Sequence, residues 1–118
     1  MPARLPLVAL LLLAACGDPG PGPMPDASGP VTWCGDTRPI FAARCNGCHA
    51  TTRTGADRQG APTGVNFDTY AAAAASADAA KQMVLAGEMP PSGSLPVLET
   101  WTIAWWVDQG APEGTCAP

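Results

Sequence analysis

The chain has 118 residues, 47% of them hydrophobic and 14% charged, and its six basic and ten acidic residues give a formal net charge of −4. That length holds one small domain, and the excess of acid argues against a nucleic-acid partner. Five cysteines and a single histidine have to be accounted for within it.

Residues 1–15 read as an export signal. Arg4 supplies a small positive n-region, and residues 5–13 form an apolar run interrupted only by Pro6. The run is too short to span a membrane. It ends in Leu13-Ala14-Ala15-Cys16, which resembles the lipobox of bacterial lipoproteins, so cleavage is expected to leave Cys16 as a lipidated N-terminus. The alternative is an ordinary secretory peptide with an incidental cysteine. Each buried lipid methylene adds about 0.8 kcal/mol of membrane affinity, so a diacylglyceryl cysteine anchors stably. By the sorting rule for such proteins, Gly17 in place of Asp favours the outer membrane, on the periplasmic side of a bacterial envelope.

Residues 16–30 are expected to act as lipidated cysteine and linker. Positions 17–30 carry five prolines and four glycines in fourteen residues, with Met24 the one large apolar side chain. Such a segment cannot bury a core. Its reach is about 20 Å as a flexible coil and about 45 Å as extended polyproline II. The folded domain is then 31–118, a size at which a hydrophobic core alone is marginal.

No segment of that domain alternates at period two, and its apolar clusters fall at helical spacing, so an all-α domain of three to four helices is expected. The first helix starts with Asp36 or Thr37 as cap and Pro39 in its first turn, where a missing N–H costs nothing. It carries Ile40, Phe41 and Arg44 into Cys45-Asn46-Gly47-Cys48-His49, with Phe41 facing inward. This five-residue run is the attachment signature of a c-type haem. Cys45 and Cys48 sit about one helical turn apart, so both sulfurs can add to the two vinyl groups of one porphyrin. His49 follows directly, and its imidazole can reach the iron from the same turn.

Two other chemistries use a Cys-x-x-Cys pair. A zinc site would need two more ligands, and with His49 the lone histidine these would be Cys34 and Cys116 or a carboxylate. A thioredoxin-like dithiol would open a helix after a buried strand, whereas residues 37–44 read as helix with no β-branched run.

Residues 51–64, rich in Gly, Thr and charge, read as a loop around one edge of the haem. Asp68 or Thr69 caps an alanine-rich helical region over 70–86, which Ser76 or Asp78 divides, and Gly87 stops it. Glu88-Met89-Pro90-Pro91 follows as an extended loop. A last helix covers 97–109 and is stopped by Gly110 and Pro112. Ile103, Trp106 and Val107 form one stripe on it, and Leu98, Trp101 and Trp105 an adjacent one.

A thioether is a soft, neutral axial ligand that favours reduced iron. Met1 leaves with the signal, Met24 lies in the linker, and Met83 sits within a helix, where core packing is the expected role. Met89 stands in a loop stiffened by Pro90 and Pro91, so its sulfur can be held at an iron with little entropy left to lose. Met89 is the expected second ligand.

With Cys16 lipidated and Cys45 and Cys48 bound to haem, Cys34 and Cys116 remain. They flank the domain, and an exported compartment permits disulfides. Pairing would close an 82-residue loop, worth roughly 4 kcal/mol in the chain-entropy model before strain. The alternative is two free thiols.

Taken together, Cys45-Asn46-Gly47-Cys48-His49, Leu85-Ala86-Gly87-Glu88-Met89-Pro90-Pro91 and Trp106-Val107-Asp108-Gln109-Gly110-Ala111-Pro112 resemble class I bacterial cytochromes c over about 33–112. The resemblance implies a small cytochrome c fold wrapped round one covalent haem, with the first and last helices crossing and Phe41 close to Trp106. It departs from the family at Pro96, where a Ser or Thr cap is usual, and in the Cys34/Cys116 pair.

The expected function is that of a membrane-anchored monohaem electron carrier, not an enzyme. It is expected to be a monomer that serves redox-protein donors and acceptors. With Arg4 removed, five basic residues face ten acidic ones, so a basic patch on a partner would steer encounter, if these charges do more than solubilise the surface. The rival reading is a haem-based enzyme or gas sensor with a labile sixth ligand, and a colourless zinc-stapled module is a third.

Overall fold

The computed structural model describes residues 29–118, which form an all-α domain; Cys16, the signal segment and nearly all of the linker lie outside the described residues. Helical winding begins earlier than Asp36 or Thr37. Thr32, in extended conformation, caps a π-helical turn over Trp33–Thr37. Its hydroxyl accepts from the Gly35 amide at 3.1 Å, while Asp36 Oδ2 accepts from the Thr32 amide at 2.7 Å. This is a reciprocal capping box, with the acid at the fourth rather than the third position after the cap. The wider winding accounts for the extra residue, because the Thr37 amide bonds to the Thr32 carbonyl five residues back. Thr37 is fully buried and makes no capping bond.

The first α-helix, α1 (Arg38–Arg44), follows directly with Pro39 in its first turn. The alanine-rich region splits at Ser76 into α2 (Tyr70–Ala75) and α3 (Ala77–Leu85). Thr69, not Asp68, caps α2, accepting from the Ala72 amide at 3.2 Å. Gly87 ends the region as expected. It lies at φ +71°, and a Cβ there would stand 2.9 Å from Ser94 Oγ, so left-handed backbone and close approach both require glycine. The last helix, α4 (Val97–Asp108), starts after Pro96 without a side-chain cap. The Pro96 carbonyl accepts from the Thr100 amide at 3.0 Å.

The core is aromatic. Phe41 of α1 stacks on Phe67 with centroids 4.7 Å apart and meets Trp106 of α4 edge-on at 5.8 Å, while Trp33 packs against Phe41 at 5.7 Å. Offset and edge-on ring pairs add to the area they bury. Of the two stripes on α4, Ile103 and Trp106 are fully buried and Val107 is half-buried. The adjacent stripe is not core: Leu98 is 59% exposed, and Trp101 and Trp105 stack on each other half-buried.

The two ends of the domain close on one another. The Trp33 amide bonds to the Pro112 carbonyl and the Cys34 amide to that of Glu113, both at 2.9 Å, and the Trp106 indole donates to Pro112 at 3.0 Å. Cys34 and Cys116 are joined in a disulfide across a Cα–Cα distance of 4.7 Å. Ion pairs add two further clasps, Arg44 to Glu99 at 3.0 Å between α1 and α4, and Lys81 to Asp108 between α3 and α4.

Candidate haem-attachment site

Cys45 to His49 form a tight turn continuing from α1. The Cys45 amide still bonds to the Phe41 carbonyl, and the Cys45 carbonyl then accepts from the amides of Cys48 at 3.1 Å and His49 at 2.8 Å. One turn of backbone therefore presents two thiols and an imidazole together. Both thiols are free and half-buried. Burial pushes the Cys45 thiol up to about 11, helped by the negative charge of Glu99. A thiol-exchange enzyme needs the opposite, an attacking cysteine with a lowered pKa.

The imidazole of His49 is fixed from two directions. Its Nδ1 lies 2.9 Å from the Val65 carbonyl. A carbonyl can only accept, so Nδ1 is the donor in this contact, which leaves Nε2 as the nitrogen that could ligate a metal. The Phe67 ring stands edge-on to the imidazole at 5.5 Å, and the Phe67 amide bonds to the His49 carbonyl at 2.9 Å. Such an outer hydrogen bond orients a metal-binding histidine and raises its basicity.

Behind Val65 lies a feature that sequence reasoning missed. Residues 51–64 form a loop without α-helix, as expected, and nearly all of it is exposed, but one side chain turns inward. A 3-10 turn over Gly55–Arg58 places Arg58 inside, 4% exposed. No local signal announces this, because a charged residue between glycines normally faces water. At the end of the segment, Asp68 accepts from the Thr51 amide at 3.0 Å and hydroxyl at 2.6 Å. Partial burial alone would raise its carboxyl, but these bonds, with the Arg58 charge, carry it below the usual carboxylate range.

Met89 lies half-buried in the loop between α3 and α4, with its amide 3.3 Å from the Met83 carbonyl. Met83 is also half-buried rather than a full member of the core. The loop rides on the end of α1. Pro90 and residues 92–96 face Ala43 and Arg44 across a shallow pocket of about 220 Å³, directly before Cys45 in the chain. Leu85, 50% exposed, precedes the loop in the chain, and Val97, 71% exposed, and Leu98 follow it.

This donor set fits a covalently held porphyrin: two free thiols one turn apart, an imidazole whose Nδ1 is bonded to a carbonyl, and a half-buried thioether in the loop that faces the end of α1. It fits zinc poorly, since Cys34 and Cys116 are bonded to each other. Among the described residues no group of three or more His, Cys, Asp or Glu side chains could hold a metal ion. Compared with known proteins, the chain matches no family model, no curated protein and no solved structure.

Proposed function

We propose that the chain is a monohaem c-type cytochrome of the bacterial cell envelope, tethered by a lipid on Cys16 and passing single electrons between larger redox proteins. The observation that carries this reading is the turn of Cys45, Cys48 and His49, with the Nδ1 proton of His49 committed to the Val65 carbonyl. The haem supplies an iron that cycles between ferric and ferrous states without breaking or forming bonds in a substrate.

The residues of the chain divide the remaining work. Cys45 and Cys48 would hold the porphyrin through thioether bonds, each S–H adding across one vinyl group. His49 would ligate the iron through Nε2 and Met89 through Sδ, a donor pair that would favour the reduced state. Leu85, Leu98 and the stacked Trp101 and Trp105 are the partly uncovered apolar side chains that would be available to shield the ring from water. The acid excess of the chain suits a partner with a basic docking patch, and the proline-rich linker gives the domain room to reach it. Among the described residues no helix is long and apolar enough to cross a membrane, so attachment in this reading depends on Cys16.

One absorption spectrum tests the proposal. The exported protein should show a c-type haem spectrum whose colour stays with the polypeptide after denaturation and solvent extraction. A colourless protein, or a haem that extracts freely, would refute it. Prompt binding of carbon monoxide by the ferrous protein at neutral pH would replace the carrier with the sensor or enzyme reading.

A further inference from the structure

The buried Arg58 does more than hold its own loop. Its five N–H groups meet six oxygens: Nε donates to the Ala61 carbonyl at 3.1 Å, Nη1 to those of Ala50 at 2.8 Å and Arg53 at 3.2 Å, and Nη2 shares its two hydrogens among the Pro62 carbonyl, Asn66 Oδ1 at 2.9 Å and, longest of the three, the Val65 carbonyl at 3.2 Å. None of these acceptors is a carboxylate; the guanidinium is met directly by neutral oxygens only, and the Asp68 carboxylate that its charge helps to lower makes no bond to it. A buried cation is costly unless every donor is met, and here neutral oxygens meet them. Tying a loop together does not require a charge, since neutral side chains such as Asn or Gln can do so. One acceptor points to what the charge is for. The Val65 carbonyl that takes the Arg58 bond is also the one that takes the His49 Nδ1 proton, at 2.9 Å.

We propose that Arg58 is the positioning residue of His49, acting through the Val65 carbonyl they share. The guanidinium fixes the place of that oxygen, and the oxygen fixes the plane and tautomer of the imidazole, leaving Nε2 free. Two donors on one oxygen also divide its electron density, which limits how far the imidazole is polarised toward imidazolate. Less donation from His49 and a buried positive charge act in the same direction, both favouring ferrous iron. This inference rests on the haem reading above.

Redox titration of the holoprotein tests it, together with the exchange rate of the His49 Nδ1 proton by NMR in the diamagnetic ferrous state. Arg58→Met should move the ferrous–ferric equilibrium at a fixed poise by about threefold to tenfold toward ferric, the effect of one hydrogen bond, and should speed Nδ1 exchange. Thr51→Val loosens the same loop by removing the hydroxyl bond to Asp68, the amide bond remaining, and touches none of the oxygens that Arg58 meets, so it should move both far less than Arg58→Met does. If Arg58→Met does not mature, Arg58→Lys keeps the charge while losing the planar fork, and should still speed exchange. Unchanged equilibrium and exchange in Arg58→Met, unchanged exchange in Arg58→Lys, or an equal effect from Thr51→Val would each overturn the role of Arg58. A wild-type protein without covalent haem would instead overturn the functional proposal itself.

Discussion

The two loops that carry the axial ligand candidates are held by different means. On the His49 side, residues 50–66 are gathered around one buried guanidinium, and the imidazole is set by the Val65 carbonyl and the Phe67 ring. On the Met89 side there is no such centre. The loop keeps its shape through the Met89 and Glu88 amides bonded to the Met83 carbonyl, one turn closed by Gly93 on Pro90, and two consecutive prolines, and residues 91–94 are exposed. One candidate side chain is fixed by an internal hydrogen-bonded cage and the other by limits on the unfolded backbone. A lightly held loop is also the part of a domain expected to open locally at the lowest cost.

The largest effects should expose this contrast directly. His49→Ala removes the group the whole cage positions, and little holoprotein should accumulate, as read by haem absorbance per polypeptide. Met89→His leaves both thiols and the cage in place. Covalent haem should persist, the potential should fall because an imidazole favours ferric iron more than a thioether does, and the weak long-wavelength ferric band of thioether ligation should vanish. Equal loss of haem from both variants would erase the distinction between the two sides. An unchanged potential in Met89→His would remove Met89 from the iron and turn attention to Met83.

The seam between the chain ends is a reference that belongs to neither loop. Cys34→Ser with Cys116→Ser opens an 82-residue loop, and unfolding by denaturant should show a loss of up to roughly 4 kcal/mol. The backbone bonds from Trp33 and Cys34 to Pro112 and Glu113 remain, so the potential should not move. A large redox shift in this double variant would mean that the seam, and not the loops, governs the site.

Much of this architecture was legible from residue types alone, for reasons that separate it from what was not. Helix ends marked by Gly87, Gly110 and Thr69 were readable because capping and left-handed backbone are local properties. The inward face of Phe41 followed from periodicity, its closeness to Trp106 from the family resemblance, and the placing of Cys45, Cys48 and His49 on one turn from their spacing. The first α-helix starts after Thr37 with Pro39 in its first turn as expected, but the turn before it went unread because Thr32 and Asp36 form their box across a π turn, a spacing the usual capping pattern does not describe. The second stripe of α4 was apolar without being core, since nothing local says which of two adjacent faces meets a neighbour. Arg58 was invisible for a deeper reason. Its burial depends on six acceptors drawn from 50–66, none of them distinctive in type, and only the folded loop assembles them.

Gly87→Ala probes the lightly held side without touching a ligand. The added methyl meets left-handed backbone and Ser94 Oγ at 2.9 Å, so a stability loss of about 1–2 kcal/mol is expected. If the Met89 loop is the weaker of the two, this change should also increase the rate at which an added ligand such as imidazole displaces the thioether. Substitutions confined to the cage side, such as Thr51→Val, should leave that rate alone. No change in displacement for Gly87→Ala would indicate that the prolines alone set the loop.

The smallest effect concerns pH and the cage side only. Asp68 has its carboxyl lowered in the folded protein, with the Thr51 bonds and the Arg58 charge outweighing the opposing effect of burial. A group whose folded pKa lies below its unfolded value stabilises the fold when ionised in both states. That contribution is complete above the unfolded carboxylate pKa, near 4, and is lost as pH falls through the lower folded value. Asp68→Asn imitates the protonated side chain, so wild type should be the more stable of the two at about pH 6 and above. The gap in thermal midpoint should narrow below about pH 4 and close in strong acid. Because both proteins share every other carboxylate, their difference isolates this one. A gap that widened as pH fell, or stayed constant down to strong acid, would show that Asp68 acts through shape and not through its charge, and that the Thr51 bonds do not depend on ionisation.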